Sequence, residues 1–334
     1  MQHCLLVLAH KVPETLALVE LLQDERFFFV IHFDAKTDLD PAPLRALPNV
    51  ALVEDRVPVF WGGTSMLRAT LRLIDFAKGL GRPFGRYCLV SGDALPLWSA
   101  DELDARLTTD AGEYIHLQPC ADAPQLRGVP FGQAPTVLGK KRGAEQAWRF
   151  ANYEYLDSML VNPRSDELQR LGLTPAQVRA VRRSAQAMLK DILATLPPRP
   201  PVFPKLFSGS QWWALTAATM DYVHAEASRE EVKDFFRMMR IPDEHFTQCI
   251  LGNGPKPERM RRNFMFTNWR KRFAQKLSVI DMADLSAARR QGYLFARKYD
   301  EQTCPDIRAA IRRGTLTSAI AAGAAEPAVE APAS

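Results

Sequence analysis

Runs of β-forming residues alternate with stretches of helical spacing along the first third of the chain, and this alternation narrows the fold more than any other feature. Leu5 to Ala9 reads as a strand, and Pro13 to Leu22 follows with helical spacing. Phe27 to Phe33 is a second strand, ending at Asp34, and Val50 to Glu54 a third. Thr64, after Gly62-Gly63, is a plausible N-cap for a helix with Met66, Leu67, Leu71, Leu73 and Ile74 on its apolar side. Tyr87 to Val90 is a fourth strand, Ser99-x-x-Glu102 has capping-box spacing for the next helix, and Glu113 to Leu117 is a fifth strand. The expected fold class is α/β, with a mostly parallel central sheet and helices on both faces.

That architecture places ligands beyond the carboxyl ends of the strands. His10, Asp34, Trp61 and Asp93 all lie at or just after expected strand ends, which suggests a cleft there. No G-x-G-x-x-G follows the first strand, so a dinucleotide dehydrogenase is disfavoured.

Ile241-Pro242-Asp243-Glu244-His245-Phe246-Thr247-Gln248 sets two carboxylates side by side after a proline and before an apolar run. Pro242 suits the first turn of a helix, where a missing N–H costs nothing. Asp243 and Glu244 then sit near a positive helix end, where acidic residues are common for dipole reasons alone. A carboxylate held there is equally a candidate general base for a hydroxyl proton.

Net charge is +5 over 334 residues, with a pI near 9.0. An anionic partner fits: a nucleotide, an acidic glycan, nucleic acid or a membrane face. The five cysteines, Cys4, Cys88, Cys120, Cys249 and Cys304, are scattered without a C-x-x-C pair, which argues against a disulfide framework or zinc site and for a reducing compartment. The short apolar run at the N-terminus lacks a basic leader and a cleavage site, and no segment is long and apolar enough to span a bilayer. A cytoplasmic location is expected, with peripheral association at the inner membrane face as an option.

Further along, residues 120 to 145 read as an irregular loop over the site, and Thr174-Pro175-Ala176-Gln177 opens a capped helix that ends before Pro197-Pro198. Ser228-x-x-Glu231 opens another capped helix. Residues 256 to 276 are strongly basic around Phe264, Phe266 and Trp269. From about Thr317 the chain is almost all Ala, Glu, Pro and Ser and reads as a disordered tail. The expected division is a catalytic domain over 1–305 and a helical or disordered Ala-rich tail over 306–334.

A transferase that expels a diphosphate must neutralise growing negative charge. A D-x-D pair holding a divalent ion is one device, and the only such triplet, Asp38-Leu39-Asp40, has the setting of a Pro-flanked turn. Fixed cationic side chains are the other device. Arg297-Lys298, emerging from the apolar Leu294-Phe295-Ala296 run, fits that role or that of an ordinary surface pair.

Seven motifs occur in the order found in one family: His10-Lys11, His32-Phe33-Asp34-Ala35-Lys36, Phe60-Trp61-Gly62-Gly63, Val90-Ser91-Gly92-Asp93-Ala94-Leu95-Pro96, Gly209-Ser210-Gln211-Trp212, Pro242-Asp243-Glu244 and Phe295-Ala296-Arg297-Lys298. From Leu5 to Asp300 the chain resembles the core-2/I-branching β-1,6-N-acetylglucosaminyltransferases and peptide O-xylosyltransferases of glycosyltransferase family 14. The resemblance implies a single GT-A-like (Rossmann-like) domain, a UDP-sugar donor, inversion, and no metal or other cofactor. It also implies a glycan, lipid-linked sugar or protein hydroxyl as acceptor.

Carried over by position, Glu244 is the general base and Asp34 contacts the uridine part. Lys298 with Arg297 holds the diphosphate, with Lys276 as a second phosphate-contacting cation. His10, Trp61, Gly62 and Gly63 belong to the donor side. Asp93, Gln211, Trp212 and Asp243 belong to the substrate side, with Trp212 or Trp213 able to stack on a sugar or to serve as core.

Two departures bear on these roles. The family often has Leu-Ser-Gly-x-Asp-x-Pro, whereas here the acid comes one residue early, at Asp93, with Ala94 in the usual place. Animal xylosyltransferases carry Asp where this chain has Gln211, although Arg262 to Trp269 is similar to theirs. The chain lacks the disulfides and membrane anchor of secreted members and looks like a bacterial version. GlcNAc is the expected sugar and xylose the alternative. From another class, the basic-aromatic stretch 261–276 fits a nucleic-acid or acidic-polymer binding protein, although no nucleic-acid partner is expected.

Overall fold

The computed structural model describes residues 1–122, 150, 157, 171–193, 195–197, 199–255, 260–261, 263–269 and 279–325. In chain order these form β1 (Gln2–Ala9), α1 (Val12–Leu21), β2 (Phe27–Phe33), α2 (Ala42–Arg45), β3 (Val50–Leu52), α3 (Thr64–Gly79), β4 (Phe84–Ser91), β5 (Leu95–Pro96), α4 (Ala100–Thr109), β6 (Glu113–Tyr114) and β7 (Gln118–Asp122). Then follow α5 (Pro175–Leu193), β8 (Lys205–Ser208), β9 (Trp213–Thr216), α6 (Ala217–Ala227), α7 (Glu230–Phe235), a 3₁₀ turn over Pro242–Glu244, α8 (Phe246–Gly252), β10 (Met260–Arg261), β11 (Met265–Thr267), α9 (Met282–Arg290), β12 (Phe295–Arg297), α10 (Pro305–Arg312) and α11 (Leu316–Ala325).

The central sheet runs β10-β6-β9-β4-β1-β2-β3. The β1–β2, β1–β4, β2–β3 and β6–β10 pairs are parallel, while β9 runs antiparallel to both β4 and β6. Every residue of β2 is buried, although successive side chains of a strand point to opposite faces, so the sheet is covered on both sides. The fold is therefore the expected mixed α/β arrangement with a mostly parallel sheet. Two small sheets, β11-β12-β5 and β7-β8, sit outside it. No described helix is long and apolar enough to cross a membrane.

Local differences from the sequence reading have long-range causes. The third strand stops at Leu52, and the fifth is only Glu113–Tyr114. The chain leaves the sheet there, and the His116 carbonyl abuts Gly209 so closely that a Cβ at 209 would lie 1.7 Å from it. Gly63, not Thr64, is the N-cap of α3. The cap hydrogen bonds come from Asp157, whose carboxylate accepts from the Ser65 N–H at 2.7 Å and the Ser65 hydroxyl at 3.0 Å. Ser228 closes α6 instead of opening α7, whose N-cap is Arg229. The capping boxes at Ser99/Glu102 and Thr174/Gln177 form as read. All five cysteines are free and buried.

The largest correction is at the C-terminal end. Residues 316–325 are helical, and α11 packs on α9. Leu316 and Ile320 are fully buried, as is Ile307 of α10. A Cβ on Gly323 would approach the Ser286 hydroxyl to 2.5 Å, and the Gly323 carbonyl accepts from the Arg290 guanidinium at 2.7 Å. The small residues that make this segment look low in complexity are what let the two helices approach closely. The disorder expected at 326–334 and the loop expected at 120–145 lie wholly and largely outside the described residues. Ile320→Ala should lower stability by about 2–4 kcal/mol in denaturant unfolding. An unchanged midpoint would mean that α11 is not docked.

Candidate active site

A cavity of about 530 Å³ opens at the strand ends. Trp61 and Gly62 before α3, the Ser208–Trp212 turn between β8 and β9, Ile241 with the Asp243–Glu244 turn, and Arg297–Lys298 after β12 all line it. The cavity thus collects eight residues singled out from the sequence: Trp61, Gly62, Gln211, Trp212, Asp243, Glu244, Arg297 and Lys298. Its size is that of an ordinary small-molecule site.

The backbone around Glu244 is fixed from three directions. The Ile241 N–H donates to the Gly62 carbonyl at 2.7 Å, the Glu244 N–H donates to the Ile241 carbonyl at 3.2 Å, and the Glu244 carbonyl accepts from the Gly209 N–H at 2.8 Å. Ile241 adopts the left-handed conformation at φ 57°, rare for a β-branched residue, and Gly62 has φ +79°. Two left-handed residues joined by one hydrogen bond thus set the entry to the turn. Only glycine fits at 209, for the reason given above.

Asp243 is half-buried, and its Oδ1 is buried without a hydrogen-bond partner. Burial, and next the negative charge of Glu244, push its carboxyl from an ordinary 3.8 up to about 7. At neutral pH Asp243 is therefore partly protonated. Gln211, another lining residue, is buried, and its Nε2 also lacks a partner.

Arg297 and Lys298 add a cationic stretch to the lining. The Arg297 Nε donates to Asp93 Oδ1 at 3.1 Å and its Nη2 to Oδ2 at 3.4 Å, while its guanidinium lies 4.8 Å from the Trp212 ring centre. Burial disfavours ionisation of Asp93, yet the Arg297 charge and hydrogen bonds, with help from Ser91 and Lys298, hold the carboxyl below its usual range. Asp93 is buried behind Arg297 and is not among the residues lining the cavity.

Other sequence candidates also stand back from the cavity wall. Asp34 is occupied as a staple: Oδ1 accepts from the N–H groups of Lys36 at 2.9 Å and Val59 at 3.0 Å, and Oδ2 accepts from the Lys36 ammonium at 2.9 Å. Lys36 also donates to the Val59 carbonyl and sits over the Phe60 ring. His10 stands by the cation pair. Desolvation and the charges of Lys298, Lys11 and Arg297 lower its pKa against the pull of Asp93. Gly63 serves as the α3 N-cap. Asp40 accepts from the Ala42 N–H at 2.9 Å, a turn contact of the kind read for Asp38-Leu39-Asp40. Lys276 lies outside the described residues, as does most of the basic stretch; of its aromatics, Phe264 is buried core.

Met66, His116, Gln118, Asn263, Thr267 and Trp269 complete the lining and are not among the site residues expected from the sequence. Trp61 and Trp269 are the exposed rings among the lining residues, at 63% and 51% exposure, which suits contact with an apolar sugar face. Asn263, Thr267 and Trp269 flank or end β11, so the strand-end logic that found Asp34 would have reached them had that short strand been recognised.

Comparison with known proteins places this α/β chain among the glycosyltransferases. Residues 4–124 and 153–288 match the family model described as Core-2/I-Branching enzyme, and the chain belongs to that family. Arg297 and Lys298 lie beyond the matched residues. The chain is also similar to Xylosyltransferase 2 of Canis lupus familiaris, 22% identical over 290 residues, which is 84% of this chain and 28% of that protein. The chain therefore spans little more than a quarter of the length of this curated relative.

The raised Asp243 pKa has a signed consequence. Folding favours the protonated form, so the native state loses stability as pH rises from about 3.8 through about 7. Asp243→Asn removes that loss, so its stability relative to wild type should improve between pH 4 and pH 8 in urea unfolding. A difference constant across that range would contradict the assignment.

Proposed function

We propose that the protein transfers a sugar from a UDP-sugar to an acceptor hydroxyl with inversion and without a metal ion. GlcNAc is the favoured sugar, in β-1,6 linkage, by resemblance to the family. The observation that carries the reading is that Glu244 and Lys298, distant in sequence, line one cavity. Glu244 takes the proton from the acceptor hydroxyl, whose oxygen attacks the anomeric carbon from one side. The bond from that carbon to the diphosphate oxygen breaks on the other side, and its electron pair leaves with UDP toward Lys298 and Arg297. A displacement of this geometry inverts the anomeric centre.

Partial protonation of Asp243 lessens the negative charge beside the base, so the turn does not repel an incoming diphosphate as two full carboxylates would. The Trp61 and Trp269 rings suit a glycan acceptor, free, lipid-linked or on protein. Cationic side chains at this end of the cavity, Lys298 foremost, supply the charge neutralisation that a divalent ion supplies in metal-dependent transferases.

A second reading, UDP-xylose as donor, is favoured by the similarity to Xylosyltransferase 2. Thermal-shift measurements with UDP, UDP-GlcNAc and UDP-xylose separate the two, because the preferred donor stabilises the native state most. Glu244→Gln should lower kcat by about 10²–10⁴-fold with UDP affinity retained. A loss of less than about tenfold, roughly 1.4 kcal/mol of barrier, would remove Glu244 as the base. EDTA should leave turnover intact, and strict dependence on added Mn²⁺ would overturn the metal-free mechanism.

A further inference from the structure

Asp93 was expected on the substrate side, yet its surroundings point elsewhere. Gly92 has no room for a side chain: a Cβ there would lie 2.5 Å from the Thr15 hydroxyl and 2.9 Å from the Ala9 Cβ. The Gly92 N–H donates to the Leu8 carbonyl at 2.8 Å, and the Ala94 N–H donates to the Ser91 carbonyl at 3.0 Å. The turn after β4 is thereby seated against the end of β1. Just beyond it, β5 pairs antiparallel with β12, Leu95 opposite Ala296 and Pro96 opposite Phe295. That register brings position 93 against positions 297–299.

Asp93 grips this segment at two points. Its carboxylate forks onto the Arg297 guanidinium at 3.1 and 3.4 Å, and its carbonyl accepts from the Tyr299 N–H at 2.8 Å. Lys298 lies between the two grips. Its own carbonyl accepts from the Ile280 N–H at 3.0 Å, and one residue beyond Tyr299 the Asp300 carboxylate is held by Lys11 at 2.6 Å. The pair is enclosed, with side-chain exposure of 6% for Asp93 and 16% for Arg297.

Building on the function proposed above, we infer that Asp93 is a positioning residue that aims Lys298 at the donor diphosphate, and that Arg297 serves as a strut neutralised by Asp93 while Lys298 delivers the charge. A guanidinium engaged by a buried carboxylate adds little net charge to an approaching anion. Its removal does more harm than loss of one cation, because it leaves Asp93 unpaired and negative behind the phosphate site. Removing both partners together restores neutrality. The early placement of the acid, with Ala94 in the position the family usually gives it, then carries no penalty for binding, since the side chain at 93 faces the strut and not the donor.

Calorimetric titration of the full chain with UDP, and with uridine as a phosphate-free control, tests this. Arg297→Gln should weaken UDP binding at least tenfold, and Asp93→Asn combined with Arg297→Gln should bind UDP at least threefold more tightly than Arg297→Gln alone. Uridine affinity should stay within twofold throughout, which a merely structural role for the pair would not produce. Multiplicative losses in the double variant, or parallel losses for uridine, would overturn the inference.

Should Arg297→Gln fail to unfold cooperatively, the cycle with Lys298→Gln serves instead. Lys298→Gln should weaken UDP at least tenfold, and Asp93→Asn should then add less than a twofold further loss. Independent losses would overturn the inference. No UDP binding by the wild-type protein would overturn the donor reading itself, and this inference with it.

Discussion

Three backbone hydrogen bonds hold the Glu244 turn in place, and the rest of the site depends on that hold. The bonds join the Ile241 N–H to Gly62, the Glu244 N–H to Ile241, and the Gly209 N–H to Glu244. They tie together segments separated by more than 170 positions, so the carboxylate is placed by the meeting of three loops. Gly209 meets the His116 carbonyl so closely that no side chain fits there, just where the chain has left the sheet after Tyr114. One close approach therefore shapes both the wall carrying Glu244 and the wall carrying His116 and Gln118.

The cationic part of the lining is built by different means. There a short antiparallel pairing, β5 with β12, sets the register, and a buried ion pair and a carbonyl contact from Asp93 fix the side chains. The two parts also differ in electrostatics. On one, burial beside Glu244 drives Asp243 toward its neutral form; on the other, Arg297 keeps Asp93 ionised. Two aspartates in one chain are thus moved in opposite directions, Asp243 upward by burial and then by Glu244, Asp93 downward by Arg297 against the effect of burial.

Much of the fold was legible because it rests on local pattern. The β1, β2 and β4 runs, the helix after Gly62-Gly63 and the Ser99 capping box are short-range signals, and they formed where read. The strand-end logic reached the right edge of the sheet, since Trp61 and Asp93 lie at or beside the cavity. It could not say which strand-end residues face a ligand. Asp34 turned inward to staple Lys36 and Val59, and Asp93 turned to Arg297, because both partners lie in loops whose approach only the tertiary fold decides. The cap of α3 was misread for the same reason: its donor groups are met by Asp157, more than ninety positions away. For 306–334 the sequence leaves helix and disorder both open and gives no sign of docking, because composition reports bulk and charge, whereas Gly323 against Ser286 is a matter of fit. His116 falls inside the stretch read as a fifth strand, which in the structure ends at Tyr114, and Trp269 is legible only as part of a basic-aromatic stretch, because the short β11 before it shows no period.

The central claim is that fixed side chains on one wall receive the leaving diphosphate while Glu244 faces it from the other. A crystal structure of the complex with UDP tests this most directly. The account predicts the diphosphate inside the cavity, with the Lys298 ammonium about 3 Å from a phosphate oxygen and the Glu244 carboxylate across the open space where a sugar would lie. A diphosphate bound away from Lys298, or on the same side as Glu244, would contradict it.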